Sequence, residues 1–178
     1  NEMPYNILKL IEGDETLSTC QIFNAEVCYG AGLVYNRDNC SSAVKNEIED
    51  FCLFNSLPNY FLGVAQDFKH FAFCISVIIL NSDGSKIVRL LRKEACYCRF
   101  AEADEFGKIP KVLYANWRNN PDAKNIEAID LLDVNAPIHD LMVRLGKISG
   151  DDGQTKVRTA VRKFAILTKV PTPDNTYY

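Results

Sequence analysis

The apolar positions of this chain change period near residue 71, from a helical spacing of three or four to runs and alternation. The stretch 58–93, PNYFLGVAQDFKHFAFCISVIILNSDGSKIVRLLRK, carries the change. Pro58 suits a first helical turn, and Phe61, Val64, Ala65, Phe68 and Ala72 recur at the helical period, predicting a helix with one apolar face. From Phe71 to Leu80 the residues are β-branched and aromatic, a run too short to cross a bilayer and of the right length for a buried strand. Asn81-Ser82-Asp83-Gly84 is a hairpin turn signal, since Gly tolerates positive φ, and Lys86 to Arg92 is the return strand.

Two more helices precede this unit. Asp14 can cap a helix in which Leu17, Cys20, Phe23 and Val27 share one side and which Gly30 and Gly32 end. Leu33-Val34-Tyr35 is a short strand candidate, followed by a turn at Asn36-Arg37-Asp38-Asn39. Ser41 or Ser42 opens the next helix, with Val44, Ile48, Phe51 and Cys52 on its apolar side, and Asn55-Ser56 breaks it. After the hairpin, Glu94 to Phe100 leads to a turn at Asp104-Glu105-Phe106-Gly107. Strands are expected at Lys111 to Trp117, at Ile126 to Leu132 with Ile129 and Leu131 on one face, and through Phe164, Ile166 and Val170. Pro137 leaves open whether a short helix runs through Leu141, Met142 and Leu145, and Gly146 to Gln154 reads as a loop. Helices first and strands afterwards predict an α+β fold, three amphipathic helices packed on a mostly antiparallel sheet, because a parallel sheet needs interleaved helices. The expected organisation is one domain, 1–178, helical over about 14–71 and sheet over about 72–170, as a fragment of a longer protein.

Composition narrows the classes. Apolar residues are 47 % and charged ones 24 %, which is an ordinary folded chain, and the net charge of -3 gives no general attraction for phosphates. Seven cysteines, an odd number without repeating spacing, read as reduced buried thiols rather than a disulfide framework. Neither a signal peptide nor a membrane span is visible.

Candidate chemistry is sparse. A cysteine hydrolase needs an imidazole beside a thiolate, and only His70 and His139 are present. Cys74 would share a face with His70 if the helix continued, but the change of period between them separates the pair. Cys96-Tyr97-Cys98, the only close cysteine pair, would put two thiols on one strand face, and without a second pair it reads as packing, not zinc. Gly30-Ala31-Gly32 and Gly150-Asp151-Asp152-Gly153 lack the pattern of a phosphate loop. Asp151, Asp152 and Asp140 read as solvated carboxylates rather than magnesium ligands. Lys147, Lys156, Arg158, Arg162, Lys163 and Lys169 gather in the last third, and with few aromatics among them read as a solvated face rather than a nucleic-acid surface. Tyr114 and Trp117, three apart on a strand, would point to opposite faces, so at least one belongs in the core. No catalytic, cofactor-binding or metal residue is therefore assigned, no cofactor is expected, and nucleic-acid contacts are left unassigned.

The order of pieces resembles tailed-bacteriophage portal proteins. Cys28-Tyr29-Gly30-Ala31-Gly32-Leu33, the segment Phe51 to Asn55 with Leu57, and the helix and hairpin from Gln66-Asp67 to Leu91 are similar to successive parts of that family. So are Arg99, Gly107 and Tyr114-Ala115-Asn116-Trp117, while Pro171-Thr172-Pro173 with Tyr177-Tyr178 fits a prophage-type member from gut bacteria. The resemblance implies a portal-wing-like piece of a ring, commonly of about twelve subunits, at the capsid vertex through which DNA is packaged and ejected. It implies self-association of the full-length protein, docking of terminase and head-tail connector proteins, no membrane, and a place in the host bacterial cytoplasm and then the virion. It also implies a structural protein rather than an enzyme. The family's stem helices and tunnel loop have no counterpart in these residues, so no DNA contact is carried over. The alternatives from other classes are a small intracellular cysteine-dependent hydrolase using Cys74 or Cys28, and a generic α+β binding module.

Overall fold

A computed structural model describes residues 2–36, 38, 40–82, 84–105, 107–144 and 163–169. Four helices come first: α1 (Met3–Gly13), α2 (Glu15–Tyr29), α3 (Ser42–Phe54) and α4 (Leu57–Phe71). The helical part thus begins at Met3, eleven residues ahead of the first helix read from the sequence, because Pro4 in the first turn starts a helix that no side-chain cap announces. The other starts carry their signals. Asp14 accepts from the Leu17 backbone N–H at 2.9 Å and Ser41 from that of Val44 at 3.4 Å. Gly30, at φ 57°, ends α2. Leu33-Val34-Tyr35 is not a strand: the segment is irregular, and Leu33 and Val34 are exposed.

The strands are β1 (Phe73–Leu80), β2 (Ile87–Lys93), β3 (Cys98–Phe100), β4 (Lys111–Tyr114), β5 (Glu127–Leu131) and β6 (Lys163–Lys169), with helix α5 (Ile138–Arg144) between the last two. They form one sheet in the order β2-β1-β6-β5-β4-β3. Every pairing is antiparallel except β5 with β6, which the crossover through α5 makes parallel. Cys96-Tyr97-Cys98 departs from the strand expected of it: Ala95–Tyr97 is a 3-10 turn, and only Cys98 starts β3. Lys111 to Trp117 likewise stops being a strand at Tyr114, and Trp117 opens another 3-10 turn. The segment 145–162, with the glycine-rich loop and most of the basic cluster, lies outside the described residues, as does the Pro-Thr-Pro close.

The sheet is curled into a half-barrel. The Phe73 ring on β1 lies 5.6 Å from that of Phe100 on β3, and the Lys93 ammonium of β2 sits 4.0 Å over the Tyr114 ring of β4. Each pair is four strand positions apart in the sheet order, which would be about 19 Å on a flat sheet. The concave side holds the core: Ile75, Val77, Cys98, Val112, Ile129 and Ala165 are buried together, with Phe73, Ile79, Leu91, Leu131 and Leu167 around them. Strand alternation sends Cys74, Ser76 and Ile78 of β1 to the convex side, where the Ser76 hydroxyl lies 2.5 Å from that of Tyr60 on α4. The second strand, β2, would be an open edge, but Asn55 plugs it by accepting from the Leu90 N–H at 2.9 Å and donating to the Val88 carbonyl at 3.5 Å.

Ile75 is fully buried whereas Leu53 at the end of α3 is 81 % exposed, so two aliphatic truncations should behave oppositely. Ile75→Ala is expected to lower the urea-unfolding free energy by about 2–5 kcal/mol and Leu53→Ala by no more than about 0.5 kcal/mol.

Candidate functional site

Helix α4 is positioned by a charge pair that its amphipathic pattern conceals. The apolar residues expected to face the sheet, Phe61, Val64, Ala65 and Phe68, are half-buried, and the most buried positions are Leu57, Gly63 and Asp67. Asp67 is 2 % exposed and takes two hydrogen bonds from Arg92 on β2, from Nε at 2.6 Å and Nη2 at 2.8 Å. Those hydrogen bonds raise the Arg92 pKa above its ordinary value, against the opposing effect of burial. Gly63 makes the approach feasible: a Cβ there would stand 2.7 Å from Arg92 Cδ, and the guanidinium cannot swing aside without leaving Asp67.

A second charged group lies where the half-barrel curls over itself. Glu127 on β5 binds Lys93, from β2, at 2.7 Å through one oxygen and Lys163, from β6, through the other. Burial tends to raise the Glu127 pKa, but the hydrogen bonds from Lys163 and Lys93 outweigh it and hold the carboxyl below its usual value. At the far edge, Tyr5 of α1 accepts from the Trp117 N–H at 3.2 Å and lies 4.3 Å under the Arg118 guanidinium, while Trp117 Nε1 donates to the Tyr97 carbonyl at 2.7 Å. Tyr114 and Trp117 are therefore packing residues of the sheet and its edge.

The thiols and imidazoles do not assemble into a reactive set among the described residues. Helix α4 stops at Phe71, and Ala72, at φ 60°, turns the chain into β1 between His70 and Cys74. Burial pushes the Cys74 thiol up, a hydrogen bond with Thr168 pulling the other way, and lowers His70. A nucleophilic cysteine needs the reverse, a depressed thiol pKa. Burial raises Cys96 as well, and Cys98 to about 12. Cys20 and Cys28 are exposed on α2, and His139 and Asp140 are exposed on α5. No group of three or more His, Cys, Asp or Glu residues able to hold a metal occurs among the described residues, and no helix described is long and apolar enough to cross a membrane.

What sets this protein apart is the outside of its helical layer. The stripe Leu17, Cys20, Phe23 and Val27, expected to face the core, points outward: Phe23 is 63 % exposed and Val27 60 %. Helix α2 instead packs on α4 through Ala25, which is fully buried, because a small side chain lets the two helix axes approach. Helix α3 has no fully buried residue, so its expected apolar face, Val44, Ile48, Phe51 and Cys52, is at best half-covered. It is anchored by Lys86 to Glu47, by Arg89 Nη1 to the Phe54 carbonyl at 3.0 Å, and by the Asn55 plug. Beside the last turn of α2 a shallow cleft opens toward α4, lined by Cys28, Tyr29, Leu33, Phe61, Val64 and Ala65. Helix α2 carries apolar residues on both sides, with small Ala25 opposite the larger ones, so its periodicity favours the bulkier stripe as the inner one while packing selects the small residue.

Fold and surface together define a class, an α+β protein with N-terminal helices packed against a six-stranded, mostly antiparallel, curled sheet. No protein-family model matches the chain, and no curated protein matches it.

Two expectations test the charged groups. Asp67→Asn should cost about 2–4 kcal/mol by denaturant unfolding because it leaves the half-buried Arg92 guanidinium without its counter-charge, whereas Asp67→Leu with Arg92→Met together should cost markedly less. Glu127, depressed below 4.5 in the folded state, contributes stability that is present above its unfolded pKa and lost as pH falls through the folded value. Glu127→Gln should therefore flatten the acid limb of the stability profile below about pH 5, and an unchanged limb would remove Glu127 from the account.

Proposed function

We propose that this chain is a structural assembly module with the role of the wing region of a tailed-bacteriophage portal protein, part of a ring at the capsid vertex through which DNA is packaged and ejected. The observation that carries the reading is the uncovered helical layer. Phe23, Val27, Leu33, Val34, Leu53 and Phe54 are each more than half exposed, more large apolar surface on one layer than a protein working alone gains from leaving in water. Burial against neighbouring subunits or virion partners would account for it. The resemblance adds support: its segments fall on the end of α2, the end of α3, the α4-β1-β2 unit, and β4 with the turn after it, in the family's order. The Asp67–Arg92 pair and the filled barrel make the module rigid, which suits a part that must hold shape under load. Terminase and head-tail connector proteins are the partners this role brings, with DNA passing through the full ring.

The test is the complete gene product, purified and imaged by negative-stain microscopy. Closed rings of one size, on the order of twelve subunits, are the expected outcome, and mass measurement in solution should agree. A monomer or dimer at concentrations of about 0.1 mM would sink the proposal, since an interface of obligate size does not dissociate there.

A further inference from the structure

The outward face of α2 has the spacing of a helix-pairing seam. Thr16, Cys20, Phe23 and Val27 follow one another by four, three and four residues, the alternation that keeps a stripe facing a second helix. All four are exposed, and Ala25, which α4 covers, lies on the opposite side of the helix. Glu15 and Glu26 lie on one flank of the stripe, three turns apart. The charge along this stretch of the chain has a single sign. From Leu10 to Asn36 the chain contains no Lys or Arg, and it contains four carboxylates, Glu12, Asp14, Glu15 and Glu26.

We infer that the outer face of α2 docks a cationic amphipathic helix of a partner protein, its apolar side on Phe23 and Val27 and its Lys or Arg residues along the Glu15 and Glu26 flank. The apolar seam supplies the contact, and the one-signed carboxylates select the partner's charge and speed its encounter. A second copy of this chain fits the face poorly. Pairing two antiparallel α2 stripes brings glutamate against glutamate, and one helix of 15 residues, about 22 Å long and about 10 Å wide, offers only on the order of 220 Å², well below the roughly 800 Å² per partner of a stable dimer. The inference deepens the assembly reading and rests on it, naming the chemistry of one partner. Ring formation is read on the complete gene product and docking on this chain, so either can fail alone.

The probe is an 18-residue helical peptide of leucine and lysine, leucines at seam spacing and lysines beside them, labelled for fluorescence anisotropy with the 178-residue chain. Saturable binding is expected, weakened about tenfold or more by Phe23→Ser with Val27→Ser. Glu15→Lys with Glu26→Lys should reverse the preference toward a leucine–glutamate peptide. Raising salt from about 50 to 500 mM should weaken the wild-type complex severalfold, as screening of exposed charges requires. Both variants lie on the surface, so their thermal melts should match wild type; where the serine pair melts early, Phe23→Arg replaces it. Equal binding of a scrambled peptide of the same composition, equal binding of the glutamate peptide by wild type, or indifference to the Phe23 variants would each overturn the inference. So would a dimer of the wild-type chain that those same substitutions dissociate.

Discussion

The contact between the Asp67 carboxylate and the Arg92 guanidinium joins the two layers of this protein. Asp67 projects from α4 toward the convex face of the sheet, and Arg92 stands on that face at the end of β2. Neither charge is at home in a protein interior alone; together, with two hydrogen bonds and Gly63 leaving room for the arginine stem, they fix where α4 lies along the sheet. From that placement follows the rest of the layer. Tyr60 meets Ser76, Asn55 reaches the edge of β2, and α2 then seats on the outer side of α4.

The curl of the sheet has a different origin. Strand β1 is buried on both faces, so it must have a core inside the curl and a helix outside it. The inner core closes because the chain leaves β2 through a 3-10 turn and returns as β3 at the other edge, bringing Phe100 to Phe73. Lys93, Glu127 and Lys163 sit half-buried at the rim of the same concave side. Their mutual pairing ties β2 to β5 across the curl through Lys93 and joins the neighbouring strands β5 and β6 through Lys163.

The molecule combines a packed core with exposed apolar side chains on its helical layer. Its buried thiols are raised by desolvation and its histidines lie apart from any activated nucleophile described, while its outermost helix presents bulky side chains to water. In the assembly role proposed for this chain, contacts with other proteins would cover that surface. The carboxylates of the first two helices would give those contacts a sign.

The sequence alone determined what depends on neighbours along the chain. Asp14 and Ser41 as caps, Gly30 as a stop, the Pro58 helix start, and the apolar run that becomes β1 with its return strand were legible because caps, turns and periods act within a few residues. The class, helices on a mostly antiparallel sheet, followed from their order. Tertiary structure decided what depends on distant partners. Whether Leu17, Cys20, Phe23 and Val27 or Ala25 faced inward turned on how closely α4 could approach, and a small residue won over a larger apolar stripe. That Asp67 would be buried turned on Arg92, 25 residues away. That β6 would enter between β1 and β5 as a parallel neighbour of β5 turned on a long crossover, which no local pattern encodes. Periodicity reports which residues share a side of an element; only packing against another element decides which side is covered.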